Sequence, residues 1–506
     1  MNWSDHHEHQ PHASFDGGDL DCGSGLLLLI RRHIDPLEPG QLLEVQSTDS
    51  SVEEDLPAWS RLTGNEMVSR VRRGHLRSYL IRKAGRRADS KADDREPPIT
   101  VVANRRAYPF TKGLPPFAVA GIGSWPRPQW LLRALHDRLE GRLSENDFEL
   151  FADDAVRLSV AAQERAGVDL ITDGEQRRDS YASFVGNRLD NCQLVPIVDL
   201  LPYVHDPQKF AADLKSLDVP AQEVRQPVAL GRLGRSRPLA LHELKFVQSI
   251  SSKPVKVALP GPYLLTRMLA LECVSDRVYP TREALADDLV PILRAEISDL
   301  LAHGAAIVQL DEPVLTDVVF GRPNDDRGFM CGALAARQNP GHELEFACGL
   351  LRRVFEGFPP ERLAMHVCRG NWSRDEGVAL SGPYSPLLPL FQQLPVGTFF
   401  LELCTPRAGE VTALRGLPSQ CRLGVGAVNP KTEAIESVDD IMARAEAAIA
   451  IFGPNRVLLN PDCGFATFAD NPVSSAAIAE QKLAALCEAS RRLRGLYANR
   501  AWPVFS

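Results

Sequence analysis

Eight short apolar runs, each followed by a longer amphipathic stretch, are the feature that most narrows what this chain can fold into. The runs fall at 117–122, 169–172, 255–259, 306–310, 363–366, 398–402, 422–428 and 456–460. Between them, residues 130–139, 155–166, 284–302, 342–355, 438–452 and 476–493 repeat apolar positions at helical spacing. A short, nearly continuous apolar run reads as a strand buried on both faces, and the helical spacing reads as an element with one buried side. Regular strand–helix alternation predicts a parallel sheet covered by helices. Eight such units in one stretch predict a closed α/β fold, a (β/α)8 TIM barrel over residues 116–506. The longest interruption, 180–250, is read as an insertion, Pro-rich over 196–207 and helical in pattern over 238–250.

Residues 1–115 lack that texture. They are rich in Asp, Glu, Gly and His at first and turn basic from about 68 to 96 (Arg70, Arg72, Arg73, Arg77, Arg82, Lys83, Arg86, Arg87), without a sustained period. The expectation is a weakly ordered, largely disordered N-terminal extension. His6, His7, His9 and His12 fit a solvated tail better than a metal site, and the basic run a solvated segment better than a phosphate-binding surface. A formal net charge of −8 gives no reason to expect nucleic acid as a partner. The longest purely aliphatic run, 26–30, is far short of a bilayer span, and an acidic, His-rich start does not fit a secretory signal. The cytoplasm is the expected compartment, with no membrane partner. Ten irregularly spaced cysteines do not read as a disulfide scaffold, so cysteine near histidine points to metal or catalysis.

The polar clusters fall at the carboxyl ends of the predicted strands, the face where barrel enzymes carry their sites. After the fifth run comes Met365-His366-Val367-Cys368-Arg369-Gly370-Asn371, in which His366 and Cys368 project to the same side. Glu402 ends the sixth run, with Cys404 two residues beyond it, and Cys463 follows the eighth. Nitrogen, sulfur and carboxylate donors meeting at one mouth suit tetrahedral Zn2+. Each has a plainer reading alone: a buried cysteine, a satisfied histidine, a Glu402 that simply pairs with Arg407. Zinc would matter chemically because a free thiol, with pKa about 8.5, is mostly protonated at neutral pH, whereas the thiolate is the nucleophile. Elsewhere on the rim, Ile122-Gly123-Ser124 offers amides and a hydroxyl to a carboxylate, while Glu175 and Asp311 face it as partners for an amine.

At this point residues 116–495 resemble the catalytic C-terminal barrel of the cobalamin-independent methionine synthase family, in a short single-barrel form. The matching pieces are Ile122-Gly123-Ser124, Asp173-Gly174-Glu175, Gly261-Pro262, Gln309-Leu310-Asp311-Glu312-Pro313, His366-Val367-Cys368, Glu402 and Asn460-Pro461-Asp462-Cys463-Gly464. The resemblance implies the barrel shared by methionine synthase and uroporphyrinogen decarboxylase. It implies Zn2+ on His366, Cys368, Glu402 and Cys463, preferring Glu402 to Cys404. It also implies homocysteine held by Ile122, Gly123, Ser124, Glu175 and Asp311, with Glu175 and Asp311 as the catalytic carboxylates of methyl transfer to sulfur. Three departures bear on the methyl donor. About 115 weakly patterned residues precede this barrel where full-length members have another barrel, no tryptophan stands in 263–269 to stack on a pterin, and Asn429 replaces the histidine expected to protonate a folate leaving group. The donor is therefore methyl-folate or a methyl-corrinoid, the latter calling for a corrinoid protein partner. The alternative is zinc-dependent alkyl or epoxide transfer to another small thiol, with Arg369 and Arg407 binding an anionic group.

Overall fold

The eight predicted runs close into a ring. The computed structural model describes residues 3–20, 26–84, 113–197, 224–271, 275, 278–321 and 339–497. Six parallel strands, β7 (Lys256–Pro260), β8 (Ile307–Asp311), β9 (Leu363–Val367), β10 (Thr398–Leu401), β11 (Arg422–Val428) and β12 (Val457–Pro461), lie side by side in chain order. The first two runs pair too briefly to form named strands, yet they complete the circle through three parallel bridges: Val119 to Leu459, Ala120 to Leu170 and Ile171 to Val255. The wall is thus continuous from β12 through the first two runs to β7. The protein has the (β/α)8 TIM-barrel fold.

Local signals set the helix limits. Helix Glu145–Ala166 starts where the Ser144 side chain accepts the Asp147 amide and ends on Gly167 at φ 91°, a left-handed position that glycine adopts without strain. Thr281 and Ser437 cap Arg282–Ala302 and Val438–Phe452 in the same way. Inside the ring, Ala118, Ala120, Ile122, Leu170, Ile307, Ala364, Phe400 and Leu458 form a core of small and large side chains. A larger apolar layer fills the space between strands and helices. No described helix is long and apolar enough to cross a membrane.

The insertion is a hairpin, β5 (Asp190–Pro196) against β6 (Arg225–Gly234), followed by helix Leu241–Ile250; of the Pro-rich stretch, residues 198–207 lie outside the described residues.

Residues 1–115 hold more than the expected loose extension. Four strands, β1 (Ala13–Asp16), β2 (Leu42–Ser47), β3 (Glu66–Arg73) and β4 (Leu76–Arg82), form a sheet in the order β1-β2-β4-β3, with helices Leu27–Ile34 and Val52–Thr63. Their core of Leu26, Ile30, Leu43, Val45, Leu56, Trp59, Tyr79 and Ile81 continues into Val195, Val228 and Leu271, so the unit is seated on the insertion hairpin. The basic run is not a free segment over this span: it forms the β3–β4 hairpin, with Arg77 bound to Glu53 at 2.5 Å and Arg82 to Glu66 at 2.7 Å. Its last members, Arg86 and Arg87, lie outside the described residues.

Candidate active site

Strand register brings the predicted residues together. In the barrel wall Asp311 at the end of β8 pairs with His366 in β9, and His366 pairs with Phe400 in β10. Cys368 lies just past the end of β9 and Cys463 just past the end of β12. Among the described residues, His366, Cys368 and Cys463 form a group of metal-competent donors, with ligand atoms all within 4.8 Å of one another. All three are buried. The histidine is oriented for ligation. Its Nδ1 donates to the Phe400 carbonyl at 3.1 Å, which leaves Nε2 as the lone-pair nitrogen, and that buried Nε2 has no hydrogen-bond partner. Cys463 and His366 beside it hold the Cys368 thiol well below its ordinary range, and Cys368 in turn pushes the Cys463 thiol up. One histidine with an orphaned nitrogen and two buried thiols within 4.8 Å form a donor set that fits zinc.

Glu402 stands outside this group. It is fully buried, and its carboxylate is already engaged. Oε2 accepts from the Asn371 side chain at 2.7 Å and the Arg369 amide at 3.1 Å. Oε1 faces the Arg407 guanidinium at 2.8 Å, an ion pair without hydrogen-bond alignment. Glu402 thus pairs with Arg407, and it stands near enough to the group for its charge to act on Cys368 and Cys463. Cys404 stands apart as well; its amide bonds Asp462, and burial pushes its thiol well up.

The group opens on a pocket that encloses about 470 Å³, part of it open solvent. Ile122, Ser124, Glu175, Asp311, Pro313 and Gly464 line it along with the three donors. Glycine is required twice. A Cβ on Gly123 would overlap the Glu175 carboxylate, and one on Gly464 would overlap Ser124 Oγ, so the loop after the first run meets Glu175 only because Gly123 lacks a side chain and meets the loop after β12 only because Gly464 does. Glu175 occupies a left-handed backbone conformation, φ 55°, with its amide on Asp173 and its carbonyl accepting from Arg127 at 2.7 Å. Its Oε2 is buried without a partner. Burial pushes the Glu175 carboxyl up to about 7, and burial likewise pushes Asp311 up to about 6. For both, burial outweighs the cations nearby, the Arg178 guanidinium 3.8 Å from Glu175 and the Lys256 ammonium beside Asp311.

Several residues that shape the site escaped the sequence reading. Tyr181, Asn371, Trp372 and Thr467 also line the cavity. Lys256, a lone lysine inside an apolar strand, is 1% exposed and donates to the Ile122 carbonyl; that placement in the sequence was the available signal. Conversely, Arg369 and Arg407 do not line the cavity. Arg369 is spent on the carbonyls of Gly382 and Ala408 and lies over the Tyr384 ring, and Arg407 pairs with Glu402 and Glu376. Asn429 is likewise a loop anchor, its side chain donating to Glu376 at 2.6 Å.

Comparison with known proteins agrees with this geometry. The model of a family described as "Cobalamin-independent synthase, Catalytic domain" matches residues 117–338 and 384–485. The chain belongs to this family. Among curated relatives, the methionine synthase of Pyrococcus furiosus is 26% identical, over 75% of this chain and 94% of that one. The methionine synthase of Saccharolobus solfataricus is 25% identical over 77% and 99%. Among solved structures, a B12-independent methionine synthase from Shewanella sp. W3-18-1 in complex with selenomethionine superposes with a TM-score of 0.57, at 21% identity over 76% of this chain and 99% of that one. That likeness shows the shared barrel. The family match begins at residue 117, so the sheet unit of residues 3–84 lies ahead of everything the family model covers.

Proposed function

We propose that this chain transfers a methyl group to the thiol of homocysteine to form methionine, with zinc held by His366, Cys368 and Cys463. The observation that carries the reading is the buried His–Cys–Cys group, with its orphaned Nε2, opening on the cavity that Glu175 and Asp311 also line. Membership of the family and the methionine synthases among its relatives support the same reaction. Bound there, zinc would keep an incoming thiol deprotonated at neutral pH, where a free thiol is mostly protonated.

The rest follows from the chain's own groups. Glu175 and Asp311 receive the substrate ammonium, which adds a cation inside the cavity to the Arg178 guanidinium and the Lys256 ammonium that already act on these buried carboxylates. The main chain and hydroxyl of Ile122-Gly123-Ser124 receive the carboxylate. With both ends of the amino acid held at that wall, the side-chain sulfur points to the donor group. Trp372 and Tyr181 help shield it from water. The sulfur loses its proton to solvent on binding. It then forms a bond to the methyl carbon as the donor–methyl bond breaks, and that bonding pair leaves with the donor.

The donor is an activated methyl compound, methyl-folate or a methyl-corrinoid. Asn429 is tied to Glu376 and outside the cavity lining, so it supplies no proton to an amine leaving group. A corrinoid protein partner draws no support from a family described as cobalamin-independent. The alternative of alkyl or epoxide transfer to an anionic thiol leaned on Arg369 and Arg407, and the structure engages both elsewhere. The test is purified, zinc-loaded protein with homocysteine, given methyl-folate or methylcobalamin in separate arms, with methionine measured. Methionine in either arm is expected. None in both, alongside alkylation of a different thiol, would overturn the reading.

A further inference from the structure

We propose that Lys256 is a positioning residue for the substrate's amino-acid end, tying the loop that takes the carboxylate to the aspartate that takes the ammonium. The inference rests on the homocysteine reading. Lys256 lies in β7, inside the barrel and below the cavity, with its Nζ over the Phe400 ring at 4.3 Å. It makes two polar contacts, to the Ile122 carbonyl at 2.9 Å and to the Gln309 side-chain oxygen. Gln309, on β8, uses the other end of its amide to donate to Asp311 at 2.7 Å and to the same Ile122 carbonyl at 3.2 Å. A lysine ammonium can only donate, so the amide oxygen must face it and the amide nitrogen must face Asp311.

The three groups therefore form a closed triangle. Two of its corners carry the two arms of the amino-acid pocket. An α-amino acid bears its ammonium and carboxylate on one carbon, so the spacing between those arms determines which thiols fit. The charge of Lys256 acts in the same direction. It lies near both Asp311 and Glu175 and favours their ionised forms, while its own burial brings its ammonium down to about 7. A neutral residue in its place frees the Ile122 loop and removes the buried charge that keeps the carboxylates ready for an amine.

The experiment uses the full chain loaded with zinc, and two variants. Lys256→Met removes the hub. Gln309→Glu keeps a partner for Lys256 but cannot donate to Asp311 or Ile122. Calorimetry compares L-homocysteine with 1-propanethiol, which has a thiol and neither charged end. In both variants homocysteine binding is expected to weaken by about tenfold or more, the scale of one charge-assisted hydrogen bond. Propanethiol binding and zinc content stay unchanged, and in turnover KM for homocysteine rises while kcat is retained. Equal weakening of both thiols, loss of zinc, or unchanged homocysteine binding would overturn the proposal. If Lys256→Met does not fold, Gln309→Glu carries the test. A wild-type protein that binds propanethiol and not homocysteine would fail the underlying reading instead, and the proposal with it.

Discussion

The two ends of the cavity are built on opposite principles. At the sulfur end, His366, Cys368 and Cys463 meet in a buried group whose imidazole hydrogen bond to the Phe400 carbonyl fixes its tautomer. Soft donors there face one another and wait for a cation. At the amino-acid end, Glu175 and Asp311 are held apart by backbone and amide contacts, and their acidity is weakened by burial. Hard donors there face the cavity and wait for an ammonium. The contrast teaches that one substrate with a thiol at one end and an amine at the other satisfies both deficits at once, whereas a simple thiol satisfies only the first.

Substitutions can break the contrast at either end. The largest effect is expected from Cys463→Ser. Altering a group beyond the ligands of a metal costs about 10–100-fold in affinity, so losing a ligand should cost more than about 100-fold in zinc affinity and abolish turnover. Metal analysis and methionine formation check this, and a fully active serine variant would remove the sulfur end from the mechanism. Next is Glu175→Gln, which deletes one charged contact worth roughly 1.5–3 kcal/mol and should raise KM for homocysteine by roughly 10–150-fold. Zinc content should hold at one per chain. Loss of metal in this variant would show that the two ends are not separable.

A smaller effect should appear on titration. With its carboxyl raised to about 7, Glu175 is charged above that pH and neutral below it. Homocysteine binding should therefore weaken as pH falls from 8 to 6, by up to about tenfold per unit below 7. Propanethiol shares the thiol and lacks the amine, so calorimetry of the two across this range isolates the carboxylate. Parallel curves would contradict the assignment. The smallest effect is expected from Glu402→Gln. Because Arg407 and Asn371 hold that carboxylate, zinc affinity by chelator competition should fall by less than about tenfold. A loss as severe as that of Cys463→Ser would return Glu402 to the ligand set.

Much of this was legible in the chain. All eight strand positions could be read from apolar runs, because a strand buried on both faces must be apolar throughout, and helices such as Val438–Phe452 from their spacing. His366 and Cys368 declared themselves as neighbours because residues two apart on a strand share a side. Residues 3–84 did not. The strand β3, Glu66–Arg73, carries charges on a partly exposed surface, and a mixed sheet seated on an insertion from another part of the chain leaves no single period to read.

What the sequence alone determined is which segments bury themselves and at which strand ends the reactive side chains lie, since both follow from local periodicity. Only the tertiary structure decided which of those side chains meet. Cys463 reaches Cys368 because three bridges close the ring. Glu402 is paired because a loop returns Arg407 to it. Lys256 joins two arms of the pocket whose residues lie far apart in the chain. Periodicity reports how much of a segment is hidden from water; the partner behind it is set by closure and packing across the fold.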